Sequence, residues 1–171
     1  MKKIIVIGCP GSGKSTFSKS LESIINIPLY HLDMMYWNKD KTTVDKQIFL
    51  KRLSQVLSME KWIIDGNYAS TMEMRMKECD TVIFLDYPTD VCLSGALERR
   101  GKVRSDIPWV EAEGEIDEDF ISFIRNYREK SRPDVFSLLE KYNDKQIYVF
   151  QSRKDGDSFL ESLLAEKSCD K

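Results

Sequence analysis

The stretch Gly8-Cys9-Pro10-Gly11-Ser12-Gly13-Lys14-Ser15 constrains this chain more than any other. It matches G-x-x-x-x-G-K-[ST], a pattern in which each residue type has a mechanical reason. Glycines at 8, 11 and 13 let the backbone turn tightly and bring its N–H groups against a polyphosphate without Cβ clashes. Lys14 would reach the terminal phosphates, and the Ser15 hydroxyl would ligate Mg²⁺. Pro10, Ser12 and Thr16 complete the same phosphate-binding segment. The flanks agree with this reading. Lys3-Ile4-Ile5-Val6-Ile7 is the short apolar run of a fully buried parallel strand. Phe17, Leu21, Ile24 and Ile25 then recur at helical spacing, so Lys14 to Ile25 reads as a helix. Its N-terminus, with free N–H groups and the positive end of the dipole, points at the phosphates.

The rest of the chain alternates strand and helix. Ile27 to Leu32 reads as a second strand closed by Asp33. Asp45 to Leu57 reads as a helix with Ile48, Phe49, Leu53, Val56 and Leu57 on one face. Trp62 to Asp65 is a third strand, followed by the turn Gly66-Asn67 and a short helix from Ser70 to Lys77. Met72 and Met76 on that helix read as core filler. Thr81 to Asp86 is a fourth strand ended by Pro88, and Thr89 is placed to cap a helix from Asp90 to Arg100. Gln146 to Phe150 is a fifth strand, and Ser158 to Ala165 a closing helix. Such alternation implies a parallel sheet with helices on both faces and ligands beyond the carboxyl ends of the strands. With 171 residues and no internal repeat or low-complexity linker, the chain reads as a single domain, residues 1–171.

Composition removes several function classes. A net charge of −2 gives no global grip on nucleic acid or anionic membrane, so nucleic acid is not an expected partner. No apolar run approaches the roughly 18 residues of a membrane span. Behind Met1-Lys2-Lys3 the apolar run is too short for a signal peptide, which points to the cytoplasm. Cys9, Cys79, Cys92 and Cys169 are scattered and fit reduced thiols. With His31 the one histidine, a His-based metal site is hard to build.

Three strands end in aspartate: Asp33, Asp65 and Asp86. Asp65, after Trp62-Ile63-Ile64, has the pattern of an acid that orients Mg²⁺ or its waters. Asp33 is placed to bind an acceptor or take its hydroxyl proton. Asp86 reads as structural, because Pro88 and Thr89 explain a turn there. His31 would share the Asp33 face of its strand as a structural histidine, and Tyr36, Trp37 and Tyr68 could wall a pocket or simply pack. Arg99-Arg100-Gly101-Lys102-Val103-Arg104 then carries four positive charges ahead of an acidic run. Residues 101–117 read as a candidate lid, bringing Arg100 or Arg104 over a transferring phosphoryl group. Arg125, Arg128 and Arg132 are further candidates for a phosphate clamp.

These segments together resemble the adenylate-kinase-like P-loop kinases. Trp62-Ile63-Ile64-Asp65-Gly66 is similar to their third-strand segment, and residues 99–106 to a short nucleoside monophosphate kinase lid. P-G-S-G-K-S-T, Y-H-L-D, W-I-I-D-G-N-Y and R-P-D, in that order, resemble the bacterial DNA topology modulation (FlaR-related) proteins over nearly the whole chain. The resemblance implies a P-loop NTPase α/β/α fold with strand order 2-3-1-4-5, ATP as donor, Mg²⁺ as cofactor and a small-molecule acceptor. Lys14, Asp33, Arg100 and Arg104 are then the expected catalytic group, with Ser15 and Asp65 at the metal. Adenylate kinases carry an arginine shortly after the second strand and another just after the D-G of the third. Here those regions read Asp33-Met34-Met35-Tyr36-Trp37 and Asp65-Gly66-Asn67-Tyr68-Ala69. Binding a nucleoside monophosphate would require Arg75, Lys39 or Arg52 to substitute, so the acceptor stays open between another nucleotide and a hydroxylated metabolite. The competing reading is an ATP-binding regulator of the topology modulation type, with no small acceptor.

Overall fold

The apolar runs at 3–7, 62–65 and 81–85 lie side by side because their side chains must be buried on both faces of a sheet. In the computed structural model, which describes residues 1–102, 104–109 and 117–169, they form its three central strands. The elements are β1 (Lys3–Gly8), α1 (Lys14–Ile25), β2 (Leu29–His31), α2 (Leu32–Tyr36), α3 (Lys46–Leu57), β3 (Trp62–Asp65) and α4 (Ala69–Glu78). They continue as β4 (Thr81–Leu85), α5 (Thr89–Glu98), α6 (Glu118–Lys130), α7 (Arg132–Lys141), β5 (Gln146–Phe150) and α8 (Arg153–Cys169). The sheet has five parallel strands in the order β2-β3-β1-β4-β5, with helices on both faces. Ile4 to Ile7, Ile63, Ile64 and Val82 to Phe84 are fully buried. In register, Val6 and His31 both pair with Asp65, and Gly8 pairs with Leu85. The carboxyl ends of β1, β2, β3 and β4 therefore meet at one edge.

Several local expectations are corrected. The second strand spans three residues, not Ile27 to Leu32. Asn26 ends α1 in the left-handed conformation, and Pro28 has no N–H to give the ladder, so pairing starts only at Leu29. Asp33 consequently sits in the first turn of the short helix α2, not at a strand end. Ile48 is exposed, leaving Phe49, Leu53, Val56 and Leu57 as the buried face of α3. Pro88, not Thr89, occupies the N-cap of α5, which has no side-chain cap. The closing helix runs from Arg153, started by reciprocal bonds between Ser152 and Asp155: the Ser152 hydroxyl accepts from Asp155 N at 3.2 Å and Asp155 Oδ2 from Ser152 N at 2.9 Å. Helices α6 and α7 carry buried Ile121, Ile124, Tyr127, Val135 and Leu139.

The phosphate loop is packed backbone to backbone on α5. Gly11 has φ +82°, and a Cβ there would lie 1.9 Å from the Cys92 carbonyl oxygen. A Cβ on Gly95 would lie 2.2 Å from the Gly11 carbonyl oxygen. Helix propensity alone favours Gly95→Ala by about 1 kcal/mol. The contact opposes it and should win, giving a net loss on the order of 2 kcal/mol. A lower urea midpoint at unchanged m-value is the expected outcome; a higher midpoint would refute the packing argument.

Candidate active site

A cavity of about 1610 Å³ opens beyond the carboxyl ends of the strands. Pro10, Gly11, Gly13, Lys14, Ser15 and Thr16 line one side of it. Gly8 and Ser12 do not line it; both are buried, and they shape the loop from behind. The Gly8 N–H donates to Asn67 Oδ1 at 3.0 Å, tying the loop to the end of β3. Lys14 Nζ donates to the Gly8 carbonyl at 2.9 Å and the Cys9 carbonyl at 3.1 Å, so the ammonium lies curled over its own loop. Burial pulls the Lys14 pKa below the ordinary lysine value, while Asp65 opposes that shift. Contact with the Cys92 thiol and burial push the Cys9 thiol up.

Three carboxylates face this loop. Asp65 is buried, and its Oδ1 lies 2.8 Å from His31 Nδ1. Its Oδ2 is buried without a hydrogen-bond partner. His31 thus packs on Asp65, and it shares no strand face with Asp33. Asp33 Oδ1 accepts from the Tyr68 hydroxyl at 2.6 Å. Burial raises the Asp33 pKa above the ordinary carboxylate value, and the Tyr68 hydrogen bond and nearby Lys14 offset part of that rise. Asp106, which no sequence motif singles out, is the third. It accepts from Arg104 Nε at 3.1 Å and Nη2 at 2.5 Å, and the Ser15 side chain lies close enough to favour its charged form. Burial pushes the Asp106 pKa up, but Arg104 and Ser15 outweigh it and hold the carboxyl below the usual range.

Of the candidate lid, Val103 and residues 110–116 lie outside the described residues. Arg100 and Arg104 both line the cavity, and Arg100 Nη2 is buried without a hydrogen-bond partner. The second arginine cluster is not brought there. Arg125 and Arg128 are exposed and off the cavity wall. Arg132 makes a two-pronged pair with Asp86, 2.7 Å on each arm, and lies 4.4 Å from the Phe136 ring centroid. Asp86 is therefore structural, as its sequence context implies. Arg153 and Lys19 line the cavity instead. The signal for Arg153 was its place just past the end of the fifth strand.

Aromatic side chains form much of the opposite wall. Trp37 and Tyr68 line the cavity, whereas Tyr36 packs behind them against Trp37, Phe49 and Tyr68. Trp109, from the segment after the basic cluster, meets Trp37 edge to face at 5.6 Å and 78°.

The donor set fits a magnesium polyphosphate. Mg²⁺ takes hard oxygen ligands, commonly one or two carboxylates with phosphates and water. Ser15 supplies a hydroxyl and Asp65 an unpartnered, buried carboxylate oxygen. Among the described residues no group of three or more His, Cys, Asp or Glu is placed to hold a metal without such a polyphosphate.

No protein-family model and no curated protein sequence matches the chain. Solved structures do. Shikimate kinase from Acinetobacter baumannii, in complex with shikimate, superposes with a TM-score of 0.58 at 16% identity, covering 98% of this chain and 95% of that one. Shikimate kinase from Bacteroides thetaiotaomicron gives 0.54 at 21% identity, with 96% and 97% covered. Deoxyadenosine kinase from M. mycoides with bound dATP gives 0.54 at 18%, with 95% and 98% covered. The fold is that of P-loop small-molecule kinases. The likeness to the FlaR-related proteins rests on motif order alone.

Asp33 and Tyr68 supply a direct check on this geometry. Tyr68→Phe removes the one O–H that favours the charged carboxylate, so the Asp33 pKa should rise further in a ¹³C carboxyl NMR titration. An unchanged or lower value would contradict the hydrogen bond. The sign carries into stability: a pKa raised in the folded state stabilises the fold at low pH, and that contribution is lost as pH rises through the folded pKa.

Proposed function

We propose that this chain transfers the γ-phosphoryl group of ATP to a hydroxyl of a small acceptor. The observation that carries the reading is a single cavity lined by Lys14, Ser15 and the Asp33–Tyr68 pair, with the unpartnered Oδ2 of Asp65 buried at the end of β3. In this reading the loop N–H groups and the helix N-terminus of α1 hold the phosphates, and Lys14 swings from its loop carbonyls to the transferring end. Ser15 and Asp65 would hold Mg²⁺, which when bound neutralises charge on the β- and γ-phosphates. Arg100 and Arg104, on the lid side, offset the charge that develops in transfer. Asp33, with its raised pKa, accepts the proton of the acceptor hydroxyl, and Tyr68 fixes which way the carboxylate faces. Cys9, Cys79 and Cys92, free thiols among the described residues, fit a reducing compartment such as the cytoplasm. On this reading the motif order shared with DNA topology modulation proteins reflects phosphoryl-transfer chemistry, since a net charge of −2 offers little to a DNA backbone.

A coupled ADP-release assay with Mg-ATP, run across nucleosides, nucleoside monophosphates and small hydroxylated metabolites, tests the reading. Acceptor-dependent turnover should fall by on the order of a hundredfold or more in Lys14→Ala. Turnover equal to wild type in that variant, or ATP binding with no turnover on any acceptor, would overturn it. Asp33→Asn should lower turnover by about 10² to 10⁴ with ATP affinity nearly intact. Equal loss of both would make Asp33 structural.

A further inference from the structure

The cation count at the acceptor end of the cavity limits what can bind there. Three basic residues were available to stand in for the missing phosphate-binding arginines, and none of them lines the cavity. Arg75 is fully buried beneath the turn after β3. Its Nη1 donates to the Gly66 carbonyl at 2.8 Å, and its Nη2 to the carbonyls of Asn67 and Tyr68. Burial lowers its pKa to about 10, so it stays protonated at neutral pH. Arg52 donates to the Met35 carbonyl at 2.8 Å, and Lys39 is exposed. Within the sequence from Asp33 to Tyr68, Lys41 is the one cation on the cavity wall among the described residues, and it is exposed; Lys19, Arg99, Arg100, Lys102 and Arg104 line the cavity from α1 and from the stretch after α5. A second anionic group set against this stretch from Asp33 to Tyr68 would therefore lose water without gaining a built-in partner from it.

What this wall offers instead is aromatic surface in a fixed arrangement. Tyr68 has φ +34°, a conformation a bulky side chain adopts only when its surroundings impose it. Arg75 imposes it by holding three consecutive carbonyls of the turn. The result places the Tyr68 hydroxyl on Asp33 and its ring on the cavity wall near Tyr36, beside the Trp37–Trp109 corner. Faces and edges of this kind take up flat rings without demanding charge.

We infer that the acceptor is an uncharged alcohol bearing a flat aromatic ring, with its hydroxyl against Asp33 and its ring against Trp37, Tyr68 and Trp109. A nucleoside has this chemistry; a nucleoside monophosphate or an anionic carbocycle does not. The inference rests on the kinase reading above and names its substrate class. The hydroxyl oxygen forms a bond to the γ-phosphorus, and the bond from that phosphorus to the β–γ bridging oxygen breaks. The proton passes to an Asp33 carboxylate oxygen, and ADP carries away the electron pair.

Binding can be read without turnover through the fluorescence of Trp37 and Trp109, since Trp62 is buried in the core. The full chain is first saturated with Mg²⁺ and β,γ-imido-ATP, then titrated with adenosine, guanosine, cytidine and thymidine, with their 5′-monophosphates, with pyridoxine and with shikimate. The expected result is saturable quenching by at least one nucleoside or by pyridoxine, the two arms separating a nucleobase from another flat ring. That ligand should bind at least about tenfold more tightly than any monophosphate or shikimate. Trp37→Ala should weaken it by about tenfold, the scale of one lost stacking face, while Trp37→Phe largely restores it. Tighter binding of a monophosphate or of shikimate would overturn the inference and leave the kinase reading standing. So would silence from every neutral ring alcohol while the ATP analogue binds. Failure of the analogue to bind would overturn both.

Discussion

Where the phosphate loop meets α5, main chain lies on main chain, with no room for a side chain on Gly11 or Gly95. That contact fixes the loop's curvature and so the directions of its N–H groups. The loop is held from the other side as well, since the Gly8 N–H is bonded to Asn67 at the end of β3. Asn67 in turn belongs to the turn clamped by Arg75. A buried guanidinium with several bonds to charge-accepting carbonyls is a rigid brace, because breaking it would strand both the cation and the carbonyls. The glycine-rich loop and the Asp33–Tyr68 wall are thus braced through one chain of contacts, running from α5 through the loop to the turn that carries Tyr68.

Charge is divided unevenly along the cavity. Lys14, Lys19, Arg99, Arg100, Lys102, Arg104 and Arg153 line it from the loop, α1, the stretch after α5 and α8, against Asp33 and Asp106, with Asp65 buried at the end of β3. Toward Trp37, Tyr68 and Trp109 the wall turns aromatic. A polyphosphate suits the first region and a neutral ring the second. Asp33 lies between the two, its pKa raised by burial and tempered by Tyr68 and Lys14.

The part of this arrangement that was legible in the sequence is the part coded by near neighbours. Glycine spacing, the apolar runs and the Asp65-Gly66 step each specify a local geometry, and the five strands follow; their order is what the resemblance to the adenylate-kinase-like kinases implies. The misreadings arise where one residue cut across a local pattern. Pro28 and the left-handed Asn26 shortened β2 and moved Asp33 onto a helix, and Pro88 took the cap position expected of Thr89. What the sequence could not display is non-local. Asp106 reaches Ser15 across 91 residues of chain, and Arg132 finds Asp86 instead of the phosphates. An arginine's partner depends on which carbonyls or carboxylates the fold brings near. Arg75 read as a candidate phosphate ligand and is a brace.

The most direct test of the central claim is ³¹P NMR of Mg-ATP incubated with the protein and a neutral nucleoside mixture. The account predicts loss of the ATP γ-resonance with equal gain of ADP and of a phosphomonoester signal. Inorganic phosphate in place of the ester, or ATP lines that broaden and never convert, would contradict it.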